Sequence, residues 1–373
     1  MIPASVPTQR PPDARLLVVH SGGRIKDVLR ASFPTLLRSG DIVVANDAAT
    51  LPASISGVHK RTARSIEVRL AGSESVFHED VRRFSAVVFG DGNYRTPTEL
   101  RPSPPELRPG DTLQLGPLTA TVLRLLDHPR FVMIRFEGPS ASIWEGLAHH
   151  GRPIQYSHIS TPLAIWDTWT PIAGPPVAFE PPSAGFALDW RTLNAIHRIG
   201  ARFATITHAA GISSTGDDEL DARLPFDEPY RIPESTARSI RLARADGGRL
   251  IAIGTTVVRA LEHAASVHGV VCETMGLAVN KIGPTTELRV VDAILSGTHE
   301  PGTSHHKLLS AFLNQHTLAK MDQVLREYSY LTHEFGDSIF VEKSRHRESW
   351  MEPSIFGLRN RAPEGGDTSP LSF

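Results

Sequence analysis

The sequence predicts an α/β domain into which a small all-β unit is inserted. An apolar, β-branched run, Ile42-Val43-Val44-Ala45, stops at Asn46-Asp47, which is typical of a buried strand whose carboxyl end faces a cleft. From about 59 to 138 the pattern changes to short alternating runs separated by turn signals such as Gly90-Asp91-Gly92, without helices. Regularly spaced short strands of this kind indicate a small β-barrel or sandwich.

The segments on either side of the β unit alternate strands with helices, so we expect them to build one α/β domain. This predicts a domain made of 1–58 and 139–343, an inserted domain at 59–138, and a polar, disordered tail at 344–373. The strands predicted in the β unit are 65–70, 86–89, 112–115, 120–125 and 131–136. The flanks carry predicted strands at 15–19, 42–45, 201–207 and 250–253, and predicted helices around 32–37, 140–149, 193–199, 234–246, 257–268, 304–313 and 317–328.

Composition limits the class of protein. The 373 residues are 40% hydrophobic and 21% charged with a formal net charge of −1, which is ordinary for a globular enzyme and shows no global basic field. Cys272 is the only cysteine, so an intrachain disulfide and a cysteine-rich zinc site are excluded. The first 15 residues have no apolar core and no run reaches about 18 apolar residues. We therefore expect a cytoplasmic protein with no membrane partner and no metal.

The sharpest local motif runs from Gly247 to Glu262. A buried strand ends at Gly254, and Thr255 or Thr256 can cap the helix that follows. The unpaired amides of such a helix start attract anions or polar ligand edges, with Arg259 one turn further on. A capped helix that carries a surface arginine explains the same pattern and stays open.

Three further polar positions follow predicted strands or precede a helix. Asn46-Asp47 lies where α/β folds place ligand contacts, although a turn-forming pair explains it equally well. His208 ends a strand, where a histidine serves either as a proton acceptor or as a structural residue. His299 lies in a loop that leads to a helix start. Neither a glycine-rich methyltransferase loop nor a phosphate-binding P-loop is present in the sequence.

Taken in order, these segments resemble the S-adenosylmethionine:tRNA ribosyltransferase-isomerase family over about 15–341. Each matching motif occurs at a plausible spacing, and together they cover nearly all of the chain that we expect to be ordered. The matching segments are Arg15-Leu16-Leu17-Val18, Gly40-Asp41-Ile42-Val43-Val44-Ala45-Asn46-Asp47, Ser183-Ala184-Gly185-Phe186, the run from Gly247 to Glu262, the segment from Gly297 through His299 and Pro301 to Ser310-Ala311-Phe312, and Phe335-Gly336-Asp337.

The resemblance implies an α/β catalytic domain interrupted by a β-barrel domain. It also implies a transferase and isomerase of queuosine biosynthesis that consumes S-adenosylmethionine as a cosubstrate. In the family reaction the ribosyl part moves to a 7-aminomethyl-7-deazaguanine base of tRNA, and adenine and methionine are released. The sulfonium acidifies its neighbouring carbon, so a positioned base and a departing adenine are the chemical requirements. The implied cosubstrate-binding residues are Asn46, Asp47, Gly254, Thr255, Thr256 and Arg259.

Several polar positions depart from the family pattern. Arg223 and Phe226 stand where the family has histidines, whereas His208 and Glu228 are retained. The resemblance therefore implies His208, Glu228 and His299 as the catalytic candidates. Two alternatives remain open at this point: an enzyme that uses S-adenosylmethionine with another acceptor or by elimination, and a paralogue that binds a nucleoside or RNA without turnover.

Overall fold

The computed structural model describes residues 1–344, and it contains a closed six-stranded barrel and a nine-stranded mixed sheet. Two small parallel strand pairs complete the β structure. In chain order the strands are β1 (Ile2–Pro3), β2 (Arg15–Val19), β3 (Ile25–Leu29), β4 (Ile42–Asn46), β5 (Ala49–Thr50), β6 (Ser54–His59), β7 (Arg64–Gly72), β8 (Arg83–Phe89), β9 (Thr112–Leu115), β10 (Leu118–His128), β11 (Phe131–Phe136), β12 (Pro176–Ala178), β13 (Arg202–His208), β14 (Glu228–Ile232), β15 (Leu250–Ile253), β16 (Thr274–Ala278), β17 (Ala293–Gly297), β18 (Leu331–Thr332) and β19 (Ser338–Glu342).

Helices connect most of the later strands. The α-helices are α1 (Ser140–His150), α2 (Trp190–Arg198), α3 (Asp218–Asp221), α4 (Glu234–Ala245), α5 (Thr255–His268), α6 (Ser304–Leu309) and α7 (Gln315–Glu327). Short 3-10 helices are found at Arg30–Leu36, Thr98–Leu100, Ile165–Asp167 and Ser183–Ala187. None of the helices in the described part of the chain is long and apolar enough to cross a membrane.

The barrel closes in the order β10-β11-β8-β7-β6-β9, and all five strands predicted for this region are confirmed. Its first strand, β6, was not predicted, because Ser54–His59 contains few apolar residues and a glycine. Gly57 is required by close packing: a Cβ at this position would lie 2.1 Å from the carbonyl oxygen of Gln114 on β9. Edge-to-face contact between Phe84 and Phe136, with ring centroids 6.0 Å apart, fills part of the interior.

The nine-stranded sheet has the order β16-β14-β13-β4-β15-β17-β19-β2-β3. Its centre, β13-β4-β15-β17, is parallel, and β4 is buried along its whole length. Helices α4 and α5 pack on one face, where the residues contributed by the sheet include Val44. Helix α2 and the first 3-10 helix pack on the other face, where the residues contributed by the sheet include Val43. The alternation of β4 side chains between two apolar layers explains its uninterrupted hydrophobic sequence.

Strands on both sides of the barrel in sequence belong to this one sheet. β2, β3 and β4 precede the barrel, whereas β13 to β17 and β19 follow it. Ser54, where the barrel begins, exchanges two backbone hydrogen bonds with Arg152, just after α1, at 2.8 and 2.9 Å. The chain therefore enters and leaves the barrel region at neighbouring points.

Several element predictions need correction. The helix expected around 32–37 is a 3-10 helix that contains Pro34, and the helix expected over 304–313 ends at Leu309. The segment 209–229, in which the sequence predicted neither a helix nor a strand, contains α3 and the start of β14. The expected disordered tail lies outside the described residues, apart from Ser344.

Arg249 joins three elements at the amino-terminal end of the parallel strands. Its guanidinium donates at 2.8 Å to each of three acceptors: Asp41 Oδ2 before β4, Glu342 Oε1 at the end of β19, and the Leu36 carbonyl oxygen. Asp41 is buried, and its Oδ1 also accepts the Arg249 backbone N–H at 2.9 Å. Without the guanidinium, Asp41 would be a buried charge with no cation beside it.

We predict that Arg249→Ala lowers the free energy of unfolding by about 3–5 kcal/mol, the usual effect of removing one partner of a buried ion pair. Denaturant unfolding of both proteins measures the difference. Arg241→Ala is the matched control, because Arg241 is exposed and its pair with Glu234 should contribute less than about 1 kcal/mol. Equal small effects of the two substitutions would show that the Arg249 cluster does not hold these elements together.

Candidate functional site

A cleft opens at the carboxyl ends of three parallel strands, β13, β15 and β17. Segments that follow these strands line it, together with the first turns of α5 and α6 and the 3-10 helix at Ser183–Ala187. This is the position at which open α/β sheets bind ligands. Six of the predicted site residues line this one cleft: Glu228, Gly254, Thr255, Thr256, Arg259 and His299.

The wall of the cleft after β15 is the amino terminus of α5. Gly254 is the N-cap with φ of +91°, and no side chain caps the helix, so the prediction that Thr255 or Thr256 caps it is wrong. The left-handed backbone favours glycine and lets the chain turn sharply from strand into helix. The first amides of α5 have no partner within the helix and carry its positive dipole end toward the cleft. This part of the wall is suited to a carboxylate or a polar ligand edge.

Arg259 and Glu228 form a buried ion pair in the same wall. Arg259 Nη1 donates to Glu228 Oε2, while its other donors reach the carbonyl oxygens of Ala278 at 2.7 Å and Phe226 at 3.1 Å. The second oxygen of Glu228 accepts the Gly211 N–H. Burial raises the pKa of Glu228, and the charge of Arg259 opposes that rise. Arg259 is only 5% exposed, which rules out the surface arginine that the sequence left open.

His208 lies behind this pair and does not line the cleft. Its ring is buried, neither ring nitrogen is hydrogen-bonded, and Nε2 lies 3.5 Å from Glu228 Oε2. Burial, reinforced by the positive charge of Arg259, lowers the pKa of His208 well below its usual value. The imidazole is therefore neutral at pH 7 and able to accept a proton.

Asn46 and Asp47 also lie outside the cleft lining. Asn46 bridges strands: its Nδ2 donates to the His208 carbonyl oxygen and its Oδ1 accepts the His208 N–H, both at 2.9 Å. It reaches the cleft only through a 3.4 Å contact with Thr256 Oγ1. Asp47 instead accepts hydrogen bonds from Thr205 and Thr207. Period-2 alternation explains this separation, because successive side chains at a strand end point to opposite faces.

His299 lines the cleft beside a second histidine, His305, that the sequence analysis did not select. Their rings stack with centroids 4.3 Å apart and planes 10° apart. Burial lowers the pKa of both, that of His305 to about 4, so both rings are neutral at pH 7. The adjacent His306 faces away and binds Asp322 at 3.0 Å. The sequence does not predict which of the two adjacent histidines faces the cleft, and the structure shows that it is His305.

Glu180 is a second carboxyl group of the cleft that the sequence analysis missed. It is 8% exposed and accepts a hydrogen bond from the hydroxyl of Tyr156. Burial, and next the negative charge of Glu334, raise the pKa of Glu180 to about 7. The signal available in the sequence was a glutamate placed within the otherwise apolar run Val177-Ala178-Phe179-Glu180-Pro181-Pro182.

Within residues 1–344, His158, His333 and Glu334 bring three potential metal-ligand atoms within 4.8 Å of one another. The two imidazoles stack, however, with centroids 4.4 Å apart and planes only 20° apart. A metal ion lies in the plane of each imidazole that binds it, about 2.1 Å from the nitrogen. Two nearly parallel, stacked planes do not meet at that distance, so these rings do not fit a shared ion in this arrangement.

Comparison with known proteins agrees with the order of the sequence motifs. A family model described as queuosine biosynthesis protein matches residues 2–341. The chain is similar to the S-adenosylmethionine:tRNA ribosyltransferase-isomerase of Thermosynechococcus vestitus, with 30% identity over 89% of this chain and 90% of that protein. The protein of the same name from Thiobacillus denitrificans is 29% identical over 92% of this chain and 96% of its own length.

A crystal structure of S-adenosylmethionine tRNA ribosyltransferase from Thermotoga maritima is also similar to this chain. It has 21% sequence identity and a TM-score of 0.48, and the match covers 91% of this chain and 96% of that one. Because the family model spans nearly all of the described residues and the curated relatives align over most of their length, the chain belongs to the queuosine biosynthesis protein family.

Proposed function

We propose that the protein transfers the ribosyl part of S-adenosylmethionine to a 7-deazaguanine base of tRNA and isomerises it, with release of adenine and methionine. The observation that carries this proposal is the single cleft that gathers Glu228, Gly254, Thr255, Thr256, Arg259 and His299 at the carboxyl ends of the parallel strands. These are residues for which the family resemblance implies binding or chemistry. The names of the curated relatives describe the same reaction.

Binding of the cosubstrate is assigned to the α5 wall. The first amides of α5, after Gly254, suit the carboxylate of the methionine part, because a helix amino terminus favours negative charge. Thr255 and Thr256 add hydroxyl groups beside those amides. Asn46 acts indirectly, since it contacts Thr256 and fixes the end of β13. Asp47 lies on the other face of the sheet and supports the strand end through two threonine hydroxyls.

Proton removal from the carbon beside the sulfonium needs a base. Glu228 and His299 line the cleft directly, and His208 lies 3.5 Å behind Glu228. The lowered pKa of His208 keeps the ring unprotonated, so a ring nitrogen is available as a proton acceptor beside Glu228, and the same shift makes the protonated ring unfavourable and short-lived. Glu228 thus has two roles in this proposal: it contacts the ligand space, and it connects that space to His208.

The barrel is proposed to be a separate inserted domain between the two parts of an α/β domain. The sequence predicted it at 59–138, between 1–58 and 139–343, and because β6 (Ser54–His59) belongs to the closed barrel we propose that the insertion begins at Ser54. The closed order of its strands and the shared nine-stranded sheet formed by its two flanks support this division. We also propose a cytoplasmic location, because tRNA, the proposed partner, is found there. The proposal assigns no membrane partner and no metal to the reaction.

The proposed reaction predicts adenine release that depends on tRNA. Purified protein incubated with S-adenosylmethionine should release adenine in the presence of tRNA that carries the 7-aminomethyl-7-deazaguanine base, and chromatography measures the product. Transfer RNA without that base is the control and should support little release. Adenine release independent of any tRNA would point instead to elimination or another acceptor, and no release under either condition would contradict the proposed function.

A substitution at the first residue of α5 tests the binding assignment. Thr255→Pro removes one backbone N–H at a position where proline fits a helix. A lost hydrogen bond to a charged ligand group costs about 1.5–3 kcal/mol, so we expect at least a tenfold weaker Kd for S-adenosylmethionine by calorimetry.

Gln315→Pro, the same change at the first residue of α7, is the matched control and should leave the Kd unchanged. Circular dichroism checks that both variants are folded. A folded Thr255→Pro protein with the parent Kd would remove the α5 amides from the binding site.

The catalytic assignment of His208 predicts a loss of turnover by about two to four orders of magnitude in His208→Ala, measured per folded molecule. His306→Ala is the control: His306 is buried like His208 and does not line the cleft, and its ring is hydrogen-bonded to Asp322. It should lower stability and leave turnover per folded molecule unchanged. If His208→Ala behaves in the same way, then His208 is structural.

A further inference from the structure

The two carboxyl groups of the cleft differ in their surroundings. Glu228 is ion-paired with Arg259, whose positive charge opposes the rise in pKa that burial of the Glu228 carboxyl group causes. Glu180 has hydroxyl and amide partners instead: the Tyr156 hydroxyl donates to it, and Ser213 bonds to it through its side chain and its backbone. Its described partners therefore include no cation that would stabilise a negative charge.

The hydrogen bonds from Tyr156 and Ser213 lower the pKa of Glu180, whereas burial and the charge of Glu334 raise it and favour the neutral form. Glu334 contributes a nearby negative charge, and both carboxyl groups line a smaller pocket that adjoins the cleft. Tyr156 stacks on His158, and the Arg69 guanidinium lies on the ring of Tyr156 at 5.9 Å rather than on the carboxyl group. The Glu228–Arg259 pair and the neutral rings of His299 and His305 line the same cleft.

The wall around Glu180 suits a flat heterocycle. Pro181, Pro182 and Ile212 line the same cleft and offer apolar surface, while Glu180 and Ser213 supply polar groups beside it. A heterocyclic base fits such a site, because its faces need apolar contact and its edge needs hydrogen bonds. The α5 amides, which suit a carboxylate, belong to a different wall of the cleft.

On the basis of the proposed function, we propose that Glu180 is the general acid that protonates the departing adenine. In this step the bond between the ribosyl carbon and the adenine nitrogen breaks, and its electron pair stays on adenine. A lone pair of the ribosyl ring oxygen forms a second bond to the carbon left behind. The proton of the Glu180 carboxyl group moves to adenine, which leaves as the neutral base, and the carboxylate is then reprotonated from water. A separate base, assigned above to Glu228, His208 or His299, removes the carbon-bound proton, so the two proton transfers use different side chains.

The step needs Glu180 in its protonated form. With a pKa of about 7, raised first by burial and then by Glu334, the acid form predominates below pH 7 and is lost above it. The rate of adenine release should therefore fall as pH rises through about 7 in the parent enzyme. An acid whose pKa lies near the working pH is the most effective proton donor.

Glu180→Gln tests the proposal directly. Glutamine keeps an oxygen that accepts the Tyr156 hydrogen bond but has no carboxyl proton, so turnover should fall by about two to four orders of magnitude with little change in KM for S-adenosylmethionine. The fall in rate above pH 7 should also disappear. Glu180→Asp, which restores an acid, should recover part of the rate.

The fall in the rate of adenine release above pH 7 is the alkaline limb of the pH profile. Substitutions at two neighbours of Glu180 should move this limb in opposite directions. Glu334→Gln removes a charge that raises the pKa of Glu180, so the limb should shift to lower pH. Tyr156→Phe removes a hydrogen bond that lowers this pKa, so the limb should shift to higher pH. Glu300→Gln is the control: Glu300 binds Thr332, does not line the cleft, and should leave the limb in place.

The outcomes separate this inference from the proposed function. A parent enzyme that releases no adenine with or without tRNA overturns the proposed function, and the role of Glu180 with it. An active parent enzyme whose Glu180→Gln variant keeps the parent rate overturns the role of Glu180 alone. The role of Glu180 is also overturned if neither Glu334→Gln nor Tyr156→Phe shifts the pH at which the rate of adenine release falls. This test remains valid even if Glu180→Gln does not fold.

Discussion

The ion pair between Glu228 and Arg259 is the interaction on which the cleft depends. Through its remaining donors Arg259 holds the carbonyl oxygens of Phe226 and Ala278, and through its second oxygen Glu228 holds the Gly211 N–H. The Glu228 carboxylate and the Arg259 guanidinium thus join four segments of the chain, which contain Gly211, Glu228, Arg259 and Ala278. A buried pair is costly to desolvate and is stable only when its further hydrogen bonds are satisfied, as they are here. Burial, and next the positive charge of Arg259, lower the pKa of His208 behind the pair.

The cleft therefore separates two kinds of carboxyl group by their neighbours. Glu228 has a cation and a backbone amide, whereas Glu180 has hydroxyl groups, an amide and a nearby negative charge. Divergent environments of this kind are how a protein gives two chemically identical side chains different protonation states at one pH. Arrangement, rather than residue type, gives Glu228 a cation as its partner and leaves Glu180 without one.

The sequence predicts the strands whose patterns are purely local, such as the buried run of β4 and the alternating runs of the barrel. It does not predict β6, since Gly57 is explained only by the close approach of β9. Within the site, the glycine-threonine turn before α5 is recognisable because its signal is contiguous. Glu180 and Tyr156 are 24 residues apart, and neither belongs to a motif, so their pairing is visible only in three dimensions. The prediction for Asn46 and Asp47 fails in the opposite way. The two residues are adjacent in sequence and were assigned to one site, but their side chains face opposite sides of the sheet.

The order of strands in the nine-stranded sheet has a consequence for how the chain folds during synthesis. β2 pairs with β19, so that Leu16 lies beside Ser338, and β4 pairs with β13 from beyond the barrel. The barrel contacts are local by comparison, and its strands leave the ribosome well before β19. Non-local pairings are slow to form, because the intervening chain must first be closed into a loop. The barrel can therefore fold before β19 and β13, the partners of the apolar strands β2 and β4, have been synthesised. Until then β2 and β4 are unpaired, so they are the part of the nascent chain most exposed to aggregation.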